Sequence, residues 1–155
     1  MNITIESIKH HPQHLDQVAG WVFSEWGNTF AGSSLEAIRE RIAKRMREDE
    51  IPLTLVALEE SELVGTVSIK INDMDTRPEL TPWLAGVYVK DEARGRGIGS
   101  IMVAGAEEKA VKLGIQKLYL FTPSRRAFYE RMGWSFMEDT EYHGERVTLM
   151  SKNLS

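Results

Sequence analysis

Apolar and polar positions alternate at the start of the chain, with Ile3, Ile5 and Ile8 set against Thr4 and Glu6, which predicts a strand over residues 3–8. The period then changes. Leu15, Val18, Ala19, Val22, Phe23 and Trp26 recur at helical spacing, and Gly27 and Asn28 supply a stop. Ser33 and Ser34 precede a second, narrower helical stripe made of Leu35, Ile38, Ile42 and Met46, with Glu40 placed to pair with Lys44. Two β runs follow, over 53–59 and 63–71, close enough in sequence to pair antiparallel. In the second run Leu63, Gly65, Val67, Ile69 and Ile71 fill one face, while Thr66, Ser68 and Lys70 fill the other. Residues 72–82 read as a turn-rich acidic loop leading to a strand over 83–89, with Pro82 at its start, where no ladder N–H is required.

After that strand a glycine-rich segment opens a helix to about residue 113, with a stripe of Ile98, Met102, Gly105, Ala106, Ala110 and Leu113. Its small members permit close packing on a sheet, and Gly114 ends it. A strand over 116–122, a short helix running to Met132-Gly133, and two strands over about 134–142 and 145–153 joined through His143-Gly144 complete the pattern. The order β-α-α-β-β-β-α-β-α-β-β predicts a mixed α/β sheet, antiparallel at both ends, with one strand-helix-strand crossover in the middle. No repeat, low-complexity tract or linker interrupts it, and 155 residues suit a single domain over 1–155.

Composition narrows the chemistry. Hydrophobic residues at 42% and charged residues at 27% are ordinary for a globular protein, and a net charge of −4 argues against a nucleic-acid binder. Arg39, Arg41, Arg45 and Arg47 are interleaved with Glu36, Glu40, Glu48 and Asp49, which predicts a solvated helix face rather than a basic patch. The absence of cysteine excludes disulfides, thiolate metal sites and a cysteine nucleophile, and is consistent with a reducing, cytoplasmic setting. Met1 to Glu6 lack a basic segment followed by an apolar one, and no run of 18 apolar residues occurs, so neither secretion nor a membrane span is expected. Histidines 10, 11, 14 and 143 show no metal-ligand spacing, and no metal is expected.

The most informative stretch is Arg94-Gly95-Arg96-Gly97-Ile98-Gly99, placed between the β-branched run Val87-Tyr88-Val89 and the third helix. Glycines without Cβ let the backbone turn tightly and bring its N–H groups close to a ligand. Those N–H groups belong to the unsatisfied first turn of a helix, where an anion is favoured. A dinucleotide fingerprint would need glycine at Ser100 and an acid near Tyr119, and a Walker loop would need Gly-Lys-Ser/Thr, so both fail. An ordinary basic, glycine-rich connection is the plain alternative. The pattern Arg94-x-x-Gly97-x-Gly99 after a strand resembles the acetyl-CoA loop of the GNAT superfamily of N-acetyltransferases, whose motif is Gln/Arg-x-x-Gly-x-Gly/Ala.

A second segment strengthens that resemblance. Ala127-Phe128-Tyr129-Glu130-Arg131-Met132-Gly133-Trp134 is similar to the family's helix ending in Tyr-x-x-x-Gly-Phe, in the family's order after the loop. The resemblance covers about residues 53–150, most specifically 83–134, and implies a GNAT-like, mostly antiparallel sheet with acetyl-CoA as cosubstrate and no metal. It implies that backbone groups of Val87, Tyr88 and Val89 hold the pantetheine arm and the acetyl oxygen at an open strand edge. Arg94, Gly95, Arg96, Gly97, Ile98, Gly99 and Ser100 would cradle the pyrophosphate, and Ser124 would either touch the pantetheine side or cap its helix.

Acetyl transfer from a thioester to an amine requires a polarised carbonyl, a proton for the departing thiolate and a neutral amine. The resemblance points to Tyr129 for the proton, since a phenol of pKa about 10 is nearly matched to a thiol near 8.5. Some members place a glutamate near the start of the preceding strand, where this chain has Trp83. A lysine-type amine is neutral only about once in 10³ at pH 7, costing roughly 4.6 kcal/mol, against about 1.4 for an α-amine. Glu79, Asp73, Asp75, Glu141 and His143 are the groups a water relay could reach, and none stands out in the sequence. Trp26, Phe30, Trp83 and Tyr142 are candidates to wall the acceptor cleft. The sequence therefore predicts direct acetylation of a small-molecule amine or a peptide N-terminus, with a homodimer left open. A non-catalytic acyl-CoA-binding sensor or interaction domain is the alternative, and a nucleic-acid module a distant third.

Overall fold

The N-terminal alternation forms strand β1 (Ile3–Ser7) in the computed structural model, which describes residues 2–27 and 34–154. The Ser7 hydroxyl accepts from the Lys9 N–H at 3.1 Å and donates to the Arg47 carbonyl at 2.7 Å. That turn ends the strand one residue earlier than the alternation predicts and drops Ile8 into a 3-10 turn, where it is fully buried. Helix α1 (Leu15–Trp26) and helix α2 (Leu35–Ala43) follow, and Ser34 caps α2 by accepting from the Ala37 N–H at 3.1 Å. Asn28, Phe30 and Ser33 lie outside the described residues. Glu40 and Lys44 form no ion pair among the described residues; Lys44 instead closes the helix through its backbone N–H on Glu40 and Ile42 carbonyls.

Strands β2 (Leu53–Glu59), β3 (Glu62–Lys70) and β4 (Trp83–Val89), helix α3 (Ile98–Lys112), strand β5 (Lys117–Thr122), helix α4 (Arg126–Arg131), and strands β6 (Ser135–Tyr142) and β7 (Glu145–Asn153) complete the order read from the sequence. They make a seven-stranded sheet in the order β1-β2-β3-β4-β5-β7-β6. Every neighbouring pair is antiparallel except β4 and β5, which α3 connects as a parallel crossover. That one parallel contact is short, with Trp83 opposite Tyr119 as the only register pair.

The helices cover both faces. Helix α3 packs Ile98, Met102, Val103, Ala106 and Ala110 on Leu55, Val67 and Ile69 of the sheet, each fully or almost fully buried. Burial of such aliphatic side chains stabilises by about 1.5–3 kcal/mol each. The approach is close because two glycines allow it. A Cβ on Gly105 would lie 3.0–3.1 Å from Ile5, and one on Gly65 would meet the Met102 sulfur at 2.5 Å and the Tyr88 carbonyl oxygen at 2.8 Å. Helices α1 and α2 cover the opposite face over Val56, Leu58 and Leu63. The loop between β3 and β4 folds back so that Met74 and Leu80 cover Trp83 beside Leu149 and Tyr142.

Candidate active site

Beyond Trp83 the edge of β4 facing β5 has no strand partner, and the two strands splay apart. Opposite, on the β3 side, Gly86 and Val87 bulge past Val67, so that Thr66 pairs with Tyr88 while Ser68 pairs with Ala85. Gly86 holds φ at +63°, a left-handed geometry that glycine adopts without steric cost and that bends the strand outward. The splay opens into a continuous cleft of about 1070 Å³ that runs from the start of α3 to the end of α2. Its size suits an extended organic ligand better than an ion.

At one end lies the glycine loop. Gly95 and Gly97 hold φ at +81° and +82°, and no atom lies within 4 Å of a Cβ built on either. Gly97 is the N-cap of α3, so the first-turn N–H groups of Ile98, Gly99 and Ser100 have no partner within the helix and face this end of the cleft. Gly95, Gly97, Ile98, Gly99 and Ser100 all line it. The two arginines act differently. Arg94 lines the cleft and braces the loop, its Nε donating to the Val89 carbonyl at 2.9 Å, its guanidinium pairing with Asp91 at 2.7 Å and lying over the Tyr88 ring. Arg96 does not line the cleft: its guanidinium forms a two-pronged pair with Glu59 at the end of β2, so only its backbone belongs to the loop wall. Val87, Tyr88 and Val89 line the cleft, and the Tyr88 ring is held by Trp21 at 5.1 Å and Trp26 at 6.5 Å.

Tyr129 projects from α4 into the same cleft. Its side chain is 8% exposed and its ring packs edge-on against Phe128 at 5.0 Å and Trp134 at 6.1 Å. Its hydroxyl makes no hydrogen bond with any described residue, yet every sealed side-chain nitrogen and oxygen in the described structure is partnered, so the hydroxyl opens onto the cleft. Burial pushes the phenol up to about 12, with Arg125 pulling weakly the other way. The gap to a thiol is therefore wider than the near match expected from an ordinary tyrosine. Helix α4 is fixed from beneath: Glu107 of α3 accepts from the Trp134 indole at 3.0 Å and from Lys152 at 2.6 Å, and Lys152 also donates to the Met132 carbonyl at 2.7 Å. Ser124 lines the cleft but does not cap α4. No described side chain does: the Thr122 hydroxyl accepts from the Arg125 N–H at 3.0 Å, one residue before the helix begins.

The other end of the cleft departs furthest from the sequence reading. Thr66 and Ser68, on the polar face of β3, are buried rather than solvated; Ser68 shares a 2.7 Å hydrogen bond with Thr54 and Thr66 donates to the Leu55 carbonyl at 2.9 Å. All three line the cleft beneath α2. Arg39 and Arg41 are exposed as expected, Arg39 on Asp16, although Arg41 also borders the cleft; Arg45 departs from the solvated face, being half-buried at the cleft wall, and Arg47 pairs with Glu50. Trp83 is no cleft wall: it is fully buried and its indole donates to the Leu80 carbonyl at 2.7 Å. Trp26 and Tyr142 do line the cleft, and the Tyr142 hydroxyl accepts from the Asp75 N–H at 3.2 Å. Of the acids considered for proton relay, Asp73 and Asp75 line the cleft, joined by Glu25 and Glu145, which sequence alone did not single out. Asp73 is paired with Lys70 at 2.7 Å, whereas Glu25, Asp75 and Glu145 form no ion pair among the described residues. Glu79 is held outside by Arg77 at 2.8 Å.

Comparison with known proteins places this geometry. The sequence profile of the acetyltransferase (GNAT) family matches residues 15–134, a span that includes α1 and α2 as well as the two motifs. An aminoglycoside 6'-N-acetyltransferase complexed with coenzyme A superposes with a TM-score of 0.75 at 18% identity, over 100% of this chain and 98% of that one. An N-acetyltransferase from Staphylococcus aureus Mu50 gives 0.76 at 14% identity over 100% of both chains. An N-acetyltransferase from Thermoplasma acidophilum in complex with coenzyme A gives 0.68 at 23% identity over 99% of both. At these identities the likeness is one of fold.

Proposed function

The chain belongs to the acetyltransferase (GNAT) family, and from that premise we propose that it moves an acetyl group from acetyl-CoA directly to a primary amine of a small molecule or peptide N-terminus. The observation that carries the reading is the Tyr129 hydroxyl, without a protein partner, opening onto the same cleft as the glycine loop and the unpaired edge of β4. The open space beside Gly95 and Gly97 leaves room for a pyrophosphate against the α3 N-terminus. The Val87–Val89 backbone supplies the strand edge that an amide-bearing pantetheine arm needs. Arg125, whose guanidinium lies over the Phe128 ring and forms no ion pair among the described residues, adds a cation to the cleft wall.

The bound thioester supplies an activated acetyl carbon. The acceptor nitrogen bonds to that carbon as the C–S bond breaks, the nitrogen loses one proton and the sulfur gains one, and N-acetyl product and free thiol leave. Tyr129 donates a hydrogen bond to the sulfur as charge develops there, and the departing thiolate takes its proton from solvent. Asp75, Glu25 and Glu145, none of them ion-paired, receive the amine proton directly or through water. Trp83 plays no part, because a sealed core indole offers neither base nor wall. The test is calorimetry with acetyl-CoA together with a panel of amines scored by thiol release. Binding with thiol release for at least one amine class supports the reading. Absence of both heat and thermal shift refutes it, because ligand at 100 times its Kd must add about 2.7 kcal/mol of stability.

A further inference from the structure

Arg45 sits just past the C-terminal end of α2, where the chain is pinned: the Arg45 N–H donates to the Ile42 carbonyl at 2.8 Å and its own carbonyl accepts from the Thr54 N–H at 3.0 Å. From that pinned backbone Arg45 lines the cleft, as the hydrogen-bonded hydroxyls of Thr54 and Ser68 do. It is half-buried, yet it forms no hydrogen bond and no ion pair with a described residue. Asp73 is the carboxylate whose field reaches it, and Asp73 is already held by Lys70. Arg41, one turn earlier on α2, is exposed but also borders the cleft, and it has no ion pair among the described residues. Burying an arginine without a carboxylate is costly unless an anion completes it, and its planar fork matches a carboxylate through two parallel bonds.

Resting on the acetyltransferase reading, we infer that Arg45, with Arg41 beside it, is a receptor for a carboxylate on the acceptor, so that the amine acetylated here belongs to a molecule of the amino-acid class. The arrangement is that of a zwitterion site. Cationic side chains sit at the α2 end, and the unpaired carboxylates Asp75 and Glu145 lie elsewhere in the same cleft to meet the ammonium. A polycationic acceptor would bring positive charge against Arg41 and Arg45, which opposes binding. An α-amine also suits a site without a strand glutamate, since it is neutral more often at pH 7 than a lysine-type amine.

The test compares thiol release with alanine, leucine, methionine, phenylalanine and glutamate against the carboxamides of the same amino acids, and with ethanolamine phosphate, for the unaltered protein and for Arg45→Met. Acids are expected to exceed amides in kcat/KM by roughly 30-fold or more, with the difference in KM, and Arg45→Met should bring that ratio close to one. The N-acetylated products of the same acids and amides, scored by thermal shift in the presence of CoA, give a second readout that does not depend on turnover, with only the acids expected to stabilise. Equal use and equal binding of acids and amides overturns the inference while leaving the acetyltransferase reading in place. Preference for ethanolamine phosphate over every amino acid overturns the carboxylate assignment. Loss of acetyl-CoA heat in the unaltered protein is the distinct result that sinks the underlying activity.

Discussion

Replacing Tyr129 by Phe isolates one oxygen atom. The ring keeps its edge-on contacts with Phe128 and Trp134, and the hydroxyl gives up no bond to the protein, so stability should change by no more than about 0.5 kcal/mol. The catalytic cost follows from the phenol's position at about 12. Full proton transfer from such a phenol to a thiolate whose acid titrates near 8.5 is uphill by about 5 kcal/mol, so Tyr129 cannot act by outright ionisation. On the proposed reading it supplies a hydrogen bond that strengthens as the sulfur gains charge. A donor of that kind is worth roughly 10²-fold in rate, or about 2.7 kcal/mol of barrier. The assay is thiol release at saturating acetyl-CoA, paired with calorimetry: kcat should fall roughly 10²-fold while acetyl-CoA affinity stays within about twofold. Full turnover in the phenylalanine variant would refute the reasoning and reduce Tyr129 to a packing aromatic. A loss confined to affinity would place the hydroxyl on the cofactor rather than on the departing sulfur.

The same shift makes an alkaline prediction. The phenol is raised in the folded state, so its stabilising contribution is complete below pH 10 and is lost as pH rises from about 10 through about 12. Melting temperature should therefore fall less steeply over that window in Tyr129→Phe than in the unaltered protein, and parallel slopes would contradict the assignment. Gly97→Val places a side chain in open cleft space at φ +82°, costing about 1–2 kcal/mol in stability and abolishing acetyl-CoA binding. Unchanged affinity by calorimetry would move the phosphates elsewhere. Gly65→Ala drives a methyl into the Met102 sulfur and the Tyr88 carbonyl, so denaturant unfolding should show a loss of about 1–3 kcal/mol with a raised KM for acetyl-CoA. A neutral alanine would mean that β4 is not held where it is described.

Local signals carried the sequence reading where the chemistry is local. The glycine loop, the small-residue stripe on α3 and the helix bearing Tyr129 each depend on near neighbours in the chain, and each forms within a residue or two of its expected bounds. The acceptor end was hidden for the opposite reason. On a helical wheel Arg41 and Arg45 fall on one side and Arg39 and Arg47 on another, but the alternation of arginines with acids hides that split, and that the first side meets a cleft depends on the splay of β4 from β5. The hydroxyl row of β3 misleads similarly: alternation places Thr66 and Ser68 together but cannot say that α2 lies over them. Trp83 became core because Met74 and Leu80, from a loop without periodicity, fold back to cover it. Ser124 caps nothing because its own N–H and that of Arg125 turn back onto the Thr122 hydroxyl, and α4 starts one residue later without a side-chain cap.

The single register pair between Trp83 and Tyr119 also bears on how the molecule holds together. Backbone hydrogen bonding is continuous through β1-β2-β3-β4 and again through β5-β7-β6, but the seam between these half-sheets is closed mainly by side chains, Trp83 against Tyr119 and Phe121 on one face and the cluster around α3 on the other. A ligand whose amides bond to β4 within that seam acts as a keystone, adding rungs where the ladder stops. Occupancy and mechanical continuity then become one equilibrium. Amide exchange should slow on both sides of the seam together when the keystone is in place, and a substitution that loosens β6 or β7, far from any bound atom, should register as weaker ligand affinity.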